Sequence, residues 1–192
     1  MRITESDVKR KTVIESYVRY DCSKTGRPMP DCASWDWSDA DAIDRDMKCS
    51  GLKTGIPAGY RLWYKVEVTM PDLLNCAVDI SIFPGQSRRL GLVERAAIVR
   101  WKPDRQTFWY EQIVNGQTCD ETAPLLLRPT VSCEFPASWY IEDGSGRAIA
   151  FVANQIRFDP SQAQAVGYLG REPDLDSSFM RNQFPELLSI RR

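Results

Sequence analysis

The fold is decided by the stretch from Tyr60 to Val114, which opens with Tyr60-Arg61-Leu62-Trp63-Tyr64-Lys65-Val66-Glu67-Val68-Thr69-Met70. Along this opening segment, one set of alternate residues is apolar throughout, whereas the other set is largely polar. A period of two residues places successive side chains on opposite faces of a β-strand. The pattern therefore predicts a strand with one face in the core and the other face at least partly in water.

The same alternation returns three times before the stretch ends. It is found from Cys76 to Ile82, from Ala96 to Trp101 and from Thr107 to Val114, with turn sequences at Met70–Asn75 and Lys102–Arg105. Successive strands that are separated by short turns are typical of antiparallel hairpins. The side chains predicted to face the core are those of Leu62, Tyr64, Val66, Val68, Val78, Ile80 and Ile82.

Two helices are predicted on the amino-terminal side of this stretch. Thr4 can cap a first helix from about Glu5 to Asp21, because a hydroxyl at that position accepts a hydrogen bond from the helix backbone. A second, short helix follows Ser38 and ends near Gly51, since glycine suits the left-handed position after a helix. The amino-terminal region is therefore predicted to be helical.

The carboxyl-terminal side contains one predicted hairpin and several shorter elements. Trp139–Glu142 and Arg147–Val152 flank Asp143-Gly144-Ser145-Gly146, whose residues tolerate the positive φ of a tight turn. Leu125–Leu127 is predicted to be a short edge strand, because prolines lie on both sides of it. Helical segments are predicted at Asp159–Tyr168 and within Asp174–Ile190.

Together these elements predict an α+β fold. Its centre is a central antiparallel β-sheet, or a partly open barrel of hairpins, with N-terminal helices and short C-terminal helices. A length of 192 residues fits one compact domain. Within it, residues 1–56 are predicted to form the helical segment, and residues 57–192 the sheet with its C-terminal helices.

Charge and hydropathy favour no particular class of partner. The chain has 25 Lys and Arg against 26 Asp and Glu, so its net charge of −1 points to neither nucleic acid nor membrane. No apolar run is long enough to span a bilayer, and the first residues are too polar for a signal peptide. We therefore expect a cytoplasmic protein without membrane contact, in which the six cysteines are reduced thiols.

The chain contains no histidine, which removes the commonest general base, proton shuttle and metal ligand of proteins. It also lacks a P-loop, a G-x-G-x-x-G turn and a C-x-x-C pair, which are motifs of nucleotide and zinc sites. Paired carboxylates or an activated thiol remain open as catalysts, but no spacing singles one out. We therefore expect a protein that is not an enzyme and that binds no cofactor or metal.

An acidic segment from Asp31 to Asp46 contains two tryptophans. One interpretation is a solvated helix face, with acids near the positive end of the helix dipole. The other is a surface for a protein partner, since tryptophans among charges are common anchors of interfaces. The residues predicted to bind the partner are Trp35, Trp37, Asp39 and Asp41.

A basic segment between Arg88 and Arg105 is interleaved with aromatic residues. Cations beside aromatic rings can contact phosphates and stack on bases, which predicts an anion or nucleic-acid site. The alternative is a strand edge that charge protects from pairing with other chains. The residues predicted to bind the anion or nucleic acid are Arg88, Arg89, Arg100, Trp101, Lys102 and Arg105.

The last third of the chain carries a resemblance to a family. Phe135-Pro136-Ala137-Ser138-Trp139, the Asp143–Gly146 turn with its following apolar run, and Phe184-Pro185-Glu186-Leu187-Leu188 form its pattern. This pattern resembles that of small proteins found mainly in alphaproteobacteria, which share an F-P-x-x-W start, a D-x-x-G turn and a terminal PELL. The resemblance implies a bacterial origin and carries no function with it.

A second resemblance rests on Asp79-Ile80-Ser81 with Gly85, and on Arg61 with Lys65. These residues are similar to the ligand-binding segments of the PilZ barrels, which bind cyclic-di-GMP through an R-x-x-x-R segment and a D/N-x-S-x-x-G strand. Here the glycine lies one residue late, and Lys65 stands at the position of the second arginine. The resemblance implies a cyclic dinucleotide as the ligand.

Two functions of different classes follow from these observations. The first is a non-enzymatic bacterial accessory or protein-interaction module, which binds another protein through charged surfaces flanked by aromatic residues. The alternative is a nucleic-acid or anion-binding protein, with a phosphate-bearing ligand such as a cyclic dinucleotide. The two differ in whether the cations between Arg88 and Arg105 converge on one exposed face.

Overall fold

The computed structural model describes residues 1–52, 62–101, 124–130, 139–158 and 165–171, and over these residues the fold is α+β, as predicted. Two short 3-10 turns lie at Cys32–Ser34 and Leu90–Leu92. The strands and helices are β1 Arg2–Glu5, α1 Arg10–Thr25, α2 Ala40–Cys49, β2 Leu62–Val68, α3 Met70–Leu74, β3 Cys76–Ala77, α4 Arg95–Arg100, β4 Leu125–Pro129, β5 Trp139–Asp143, α5 Ser145–Phe158 and β6 Ala165–Arg171.

The six strands form one mixed sheet in the order β1-β2-β6-β4-β5-β3. β1 with β2, β2 with β6 and β4 with β5 are antiparallel, whereas β4 with β6 and β3 with β5 are parallel. The prediction of a purely antiparallel sheet is therefore wrong, and the sheet is not closed into a barrel. The reason is that β6 inserts between β2 and β4, so strands that are distant in sequence pair at the centre.

One face of the sheet, which we call the first face, packs against α3, α4 and α5. Tyr64 is 7% exposed, and Val66 and Val68 are 0% exposed, in a core cluster that includes the buried residues of all three helices. α5 contributes an uninterrupted buried run from Ala148 to Ala153. This face contains the larger of the two clusters of buried apolar side chains.

The opposite, second face of the sheet packs against α1 and α2. Trp63, Leu126 and Tyr168 lie in a second core cluster with residues of these two helices. Trp63 belongs to the set of β2 residues that the alternation assigns to the partly wet face, yet it is 1% exposed. The helices of the amino-terminal region are therefore part of the main fold, because they cover one face of the sheet.

The core predicted from the alternation is partly correct. The side chains of Tyr64, Val66, Val68 and Val78 are buried, and Ile82 packs partly buried against the first-face cluster. Leu62 and Ile80, which were expected in the core, are 36% and 62% exposed. Leu62 is the first residue of β2.

Ile80 is exposed because β3 ends at Ala77 instead of continuing to Ile82. The Asp79 carboxylate accepts hydrogen bonds from the backbone N–H of Ser81, at 2.8 Å, and from its hydroxyl, at 2.6 Å. Such local bonds offer the backbone an alternative to a strand. The segment that resembles the PilZ motif is therefore a turn here, and not a strand.

The first helix begins later than predicted. Arg2–Glu5 forms β1 at one edge of the sheet, and α1 runs from Arg10 to Thr25 instead of from Glu5 to Asp21. The chain between them is tied to β2 by a hydrogen bond from the Val8 N–H to the Trp63 carbonyl, at 3.0 Å. The prediction for α2 is confirmed, since Gly51 follows the helix with φ of 71°.

Two segments between β2 and residue 101 are helical where other structure was predicted. Met70–Leu74, in the predicted turn, is α3, and a capping box between Thr69 and Asp72 starts it. Arg95–Arg100, in a predicted strand, is α4, and Ile98 anchors it in the first-face cluster. The predicted elements at Lys102–Arg105 and Thr107–Val114 lie outside the described residues.

The predicted carboxyl-terminal hairpin is wrong in its second half. Trp139–Asp143 is the strand β5, but Arg147–Val152 belongs to the helix α5, which Gly144 precedes with φ of 93°. Leu125–Leu127 is a strand as predicted, although it lies inside the sheet and not at an edge. Residues 165–168 are in β6 and not in a helix, whereas residues 159–164 and 174–190 lie outside the described ranges, as does the predicted boundary at residues 56 and 57.

A buried arginine connects α1 to the β5–α5 turn. The guanidinium of Arg147, which is 2% exposed, pairs with Asp143 at 2.7 Å and donates to the Pro124 carbonyl at 2.8 Å. Its carbon lies 4.0 Å from the ring centroid of Tyr20, on α1. A charge this deeply buried is tolerated only with such partners, so these contacts fix α1 against the sheet.

Replacing Val66 by Asp should prevent folding, because an unpaired carboxylate would be buried between the sheet and the helices. Val66→Ala should lower the free energy of unfolding by about 2 kcal/mol, the value for removing most of a buried valine side chain. Ile80→Asp is the matched control and should change it by less than about 0.5 kcal/mol. Circular dichroism shows whether Val66→Asp folds, and urea unfolding gives the free energy of unfolding of Val66→Ala and Ile80→Asp. Equal losses of this free energy at positions 66 and 80 would contradict the burial of Val66 and the exposure of Ile80.

Candidate functional site

The acidic segment forms a compact unit at the start of α2. We call Trp35, Asp36, Trp37, Asp39 and Asp41 the acid–tryptophan surface. Trp35 is 9% exposed and belongs to the second-face cluster, whereas Trp37 is half-buried and packs against that cluster. The two ring centroids are 5.7 Å apart. Trp35 therefore acts as the internal support on which the more exposed Trp37 rests.

Three contacts fix the orientation of Trp37. Its indole N–H donates to the carbonyl of Cys32 at 2.9 Å, and its ring contacts Trp35. The ammonium group of Lys11, on α1, lies 5.2 Å from the ring centroid. A side chain held in this way loses little conformational freedom when a partner covers its exposed portion.

The carboxylates beside Trp37 cap backbone turns and stay at the surface. The Asp36 carboxylate accepts from the Ser38 hydroxyl at 2.6 Å and from the Ser38 N–H at 3.0 Å, and these bonds hold its pKa below the ordinary value. The Asp39 carboxylate accepts from the Asp41 N–H at 2.9 Å as the N-cap of α2. The two interpretations of the segment are therefore compatible, because helix capping leaves these carboxylates exposed.

The basic segment does not form one surface over its described residues. Arg88 donates from Nε to the Val78 carbonyl at 3.2 Å, and its guanidinium carbon lies 5.6 Å from the Tyr140 ring centroid. Tyr140 alternates with the core residues Trp139 and Ile141 of the first face, so its ring is on the second face. Arg88 therefore reaches the second face of the sheet.

Arg89 is paired with Ala77, which is itself paired with Tyr140, so Arg89 also belongs to the second face, whereas Arg100 and Trp101 lie on the side of the first face. Arg89 hydrogen-bonds to the side chain of Asn75, directly after α3. Arg100 is exposed on α4, where its Nε donates to the Ala96 carbonyl at 3.1 Å, and Trp101 packs partly against the first-face cluster. The predicted residues Lys102 and Arg105 lie outside the described ranges. The helix α4, which stands where a strand was predicted, places Arg100 on the opposite side of the sheet from Arg88.

The structure brings Arg88 together with residues that the sequence did not single out. We call Arg88, Arg128, Tyr140 and Glu142 the arginine–tyrosine cluster. The Arg128 guanidinium carbon lies 4.5 Å from the Tyr140 ring centroid, and Arg128 is ion-paired with Glu142. The side chains of Arg128 and Glu142 are 27% and 23% exposed. Arg128 on β4 and Tyr140 on β5 are directly opposite each other, and no sequence motif predicts this pairing.

Three of the four thiols in the described residues are buried. Cys22, Cys32, Cys49 and Cys76 are free, and Cys119 and Cys133 lie outside the described residues. Burial raises the pKa of the Cys22, Cys32 and Cys76 thiols above the ordinary value. A raised pKa keeps a thiol protonated, and the protonated form is a poor nucleophile. Within the same described ranges, no group of three or more acidic or cysteine side chains is arranged to hold a metal ion.

Comparisons with known proteins give no assignment for this chain. No family model, no curated protein and no solved structure matches it. Among the helices that the structure describes, none combines the length and the apolar character needed to cross a membrane.

Asp39→Ala should lower the free energy of unfolding by about 1 kcal/mol, because it removes the N-cap of α2. Asp39→Asn should restore most of this loss, since asparagine is an equally good cap. Asp41→Ala is the matched control, because the Asp41 side chain is exposed and does not hold the N-cap position, and it should change stability by less than about 0.5 kcal/mol. Chemical denaturation measures the three variants, and equal effects at both positions would contradict the capping role.

Proposed function

We propose that this protein is a non-enzymatic binding module that recognises a positively charged segment of another protein through the acid–tryptophan surface. The observation that carries the proposal is the environment of Trp37. Its half-buried ring is fixed by three contacts, and the exposed carboxylates of Asp36, Asp39 and Asp41 follow or precede it within four residues of the chain. An aromatic anchor within a rim of charge is a common composition of protein interfaces.

The chemistry of this surface favours lysine and arginine side chains. Lys11 already lies over the Trp37 ring, which supports the attraction of this ring for a cation. The exposed carboxylates of the same segment would attract the same side chains and would steer a basic partner during its approach. The ring would supply the contact that salt does not screen, and the carboxylates would supply the salt-dependent contribution.

The nucleic-acid alternative has less support from the described residues. Sequence-independent binding of a strand needs cations and aromatic rings along one continuous groove. Arg88 and Arg89 belong to the second face of the sheet, whereas Arg100 is on α4, on the side of the first face. A protein partner is therefore the preferred proposal.

The absence of histidine from the sequence favours a binding role over acid–base catalysis.

A fluorescent peptide rich in arginine and lysine is a suitable probe, with an acidic peptide of equal length for comparison. The basic peptide should bind, and Trp37→Ala should weaken it at least tenfold at both low and high salt. Asp41→Asn should also weaken binding, but this effect should shrink as salt rises, because it removes only an exposed charge. Fluorescence anisotropy titrations give the dissociation constants.

Glu94→Gln is the control for Asp41→Asn, since it removes one exposed carboxylate next to α4, which packs on the first face. It should leave peptide affinity unchanged. Melting temperatures accompany every titration, and Trp37→Phe retains an aromatic ring in case the alanine variant unfolds. Equal affinity for the basic and acidic peptides, or equal losses for the Asp41 and Glu94 variants, would rule out the proposed surface.

A further inference from the structure

We infer that Lys11 occupies the cation-binding position of the acid–tryptophan surface in the free protein, and that an arginine or lysine of the partner displaces it and pairs with Glu15. Lys11 and Glu15 lie one turn apart on α1, whereas Trp37 precedes α2. This inference rests on the proposed function, and it adds an internal competitor and one further binding residue to that surface.

The ammonium group of Lys11 already holds the place that a partner's cation needs. It lies over the Trp37 ring, 5.2 Å from the centroid, which is within the range of about 6 Å over which an indole attracts a cation. Other parts of the ring contact the protein, because its N–H donates to the Cys32 carbonyl at 2.9 Å and the Trp35 ring centroid is 5.7 Å away. Like charges repel each other, so a partner's cation has to displace Lys11 to take the same position.

The contacts of Lys11 are weak enough to be exchanged. Its Nζ atom is 3.8 Å from the Glu15 carboxylate, and the two side chains are 47% and 35% exposed. Ion pairs and cation–π contacts at exposed positions contribute little stability, since water screens the charges. Lys11 therefore lowers the affinity for a basic partner without blocking its binding.

Glu15 is placed to receive the incoming cation. Burial raises the pKa of the Cys32 thiol, and the charge of Glu15 raises it further, so this carboxylate is near the residue that binds the Trp37 indole. Displacement of Lys11 takes away the ion-pair partner of Glu15, which is then available to the incoming side chain. An arginine suits this position best, because a guanidinium can stack on an aromatic ring while it donates to a carboxylate.

The peptide rich in arginine and lysine is again the probe, in fluorescence anisotropy titrations of further variants. Lys11→Met, which has a similar length but no charge, should bind it about threefold more tightly, because the competing cation–π contact is lost. Lys11→Arg keeps a cation over the ring and should not bind more tightly than the wild type. Lys9→Met is the matched control, since it removes an exposed lysine that precedes α1, and its effect should be less than half as large.

Glu15→Gln, added to Lys11→Met, tests the second contact. It should weaken binding about threefold, because the partner's cation loses its carboxylate. Displacement itself is followed in proton–carbon correlation spectra, in which the ring current of Trp37 should shift the ε-methylene protons of Lys11 upfield. Saturation with the peptide should move this signal towards that of Lys9, and the loss of the signal in Lys11→Met assigns it.

Binding that Trp37→Ala weakens, but that Lys11→Met leaves at the level of Lys9→Met, would overturn this inference and leave the proposed function standing. An unmoved Lys11 signal at saturation, or equal affinities of Lys11→Met with and without Glu15→Gln, would do the same. Failure of the peptide to bind both the wild type and Lys11→Met would instead contradict the proposed function, and this inference with it. Melting temperatures close to that of the wild type show that each variant is folded.

Discussion

The structure depends on burying both faces of β2 at the same time. Tyr64, Val66 and Val68 point into the first-face cluster, while Trp63 is buried among α1 and α2 on the opposite side. Because one strand contributes to two cores, helices must lie on both sides of the sheet, and the amino-terminal helices cannot detach without exposing a tryptophan. The buried Arg147 reinforces this arrangement, since it contacts Tyr20 on α1 and Asp143 at the end of β5 in one network. Both candidate surfaces lie on the second-face side of the fold. The acid–tryptophan surface is formed by the amino-terminal helical region, and the arginine–tyrosine cluster is formed by residues on the second face of the sheet.

The sequence correctly predicts those elements whose residue pattern fits only one kind of secondary structure. The alternation in β2 and the glycine after α2 are of this kind, as is the α+β class. The sequence does not decide the structure where a short apolar run fits both the two-residue period of a strand and the 3.6-residue period of a helix. The run from Ala148 to Val152 is apolar throughout, so neither a strand nor a helix is favoured by periodicity, and its complete burial in α5 explains why. The position of β6 between β2 and β4 is a tertiary choice that local propensity does not encode.

The candidate sites follow the same division. The acidic segment could be recognised from the sequence because its tryptophans and carboxylates are close neighbours within one loop and one helix turn. The basic segment could not be judged in this way, since α4 places Arg100 on the side of the first face, away from Arg88. The sequence did not indicate that Arg128 and Tyr140 are neighbours, because only the pairing of β4 with β5 brings them together. Sites formed across strands are in general invisible until the strand order is known.

The pairing of β2 with β6 also has a consequence for the synthesis of this protein. β2 leaves the ribosome long before its partner, and at roughly 5–20 residues per second the interval is on the order of ten seconds. During that time a strand with apolar side chains on both faces has β1 on one edge and no neighbour on the other. Such an edge can pair with another nascent chain. Dense packing of ribosomes on one message would therefore favour misassembly between growing chains, and a chaperone that binds extended apolar segments would act on β2 first.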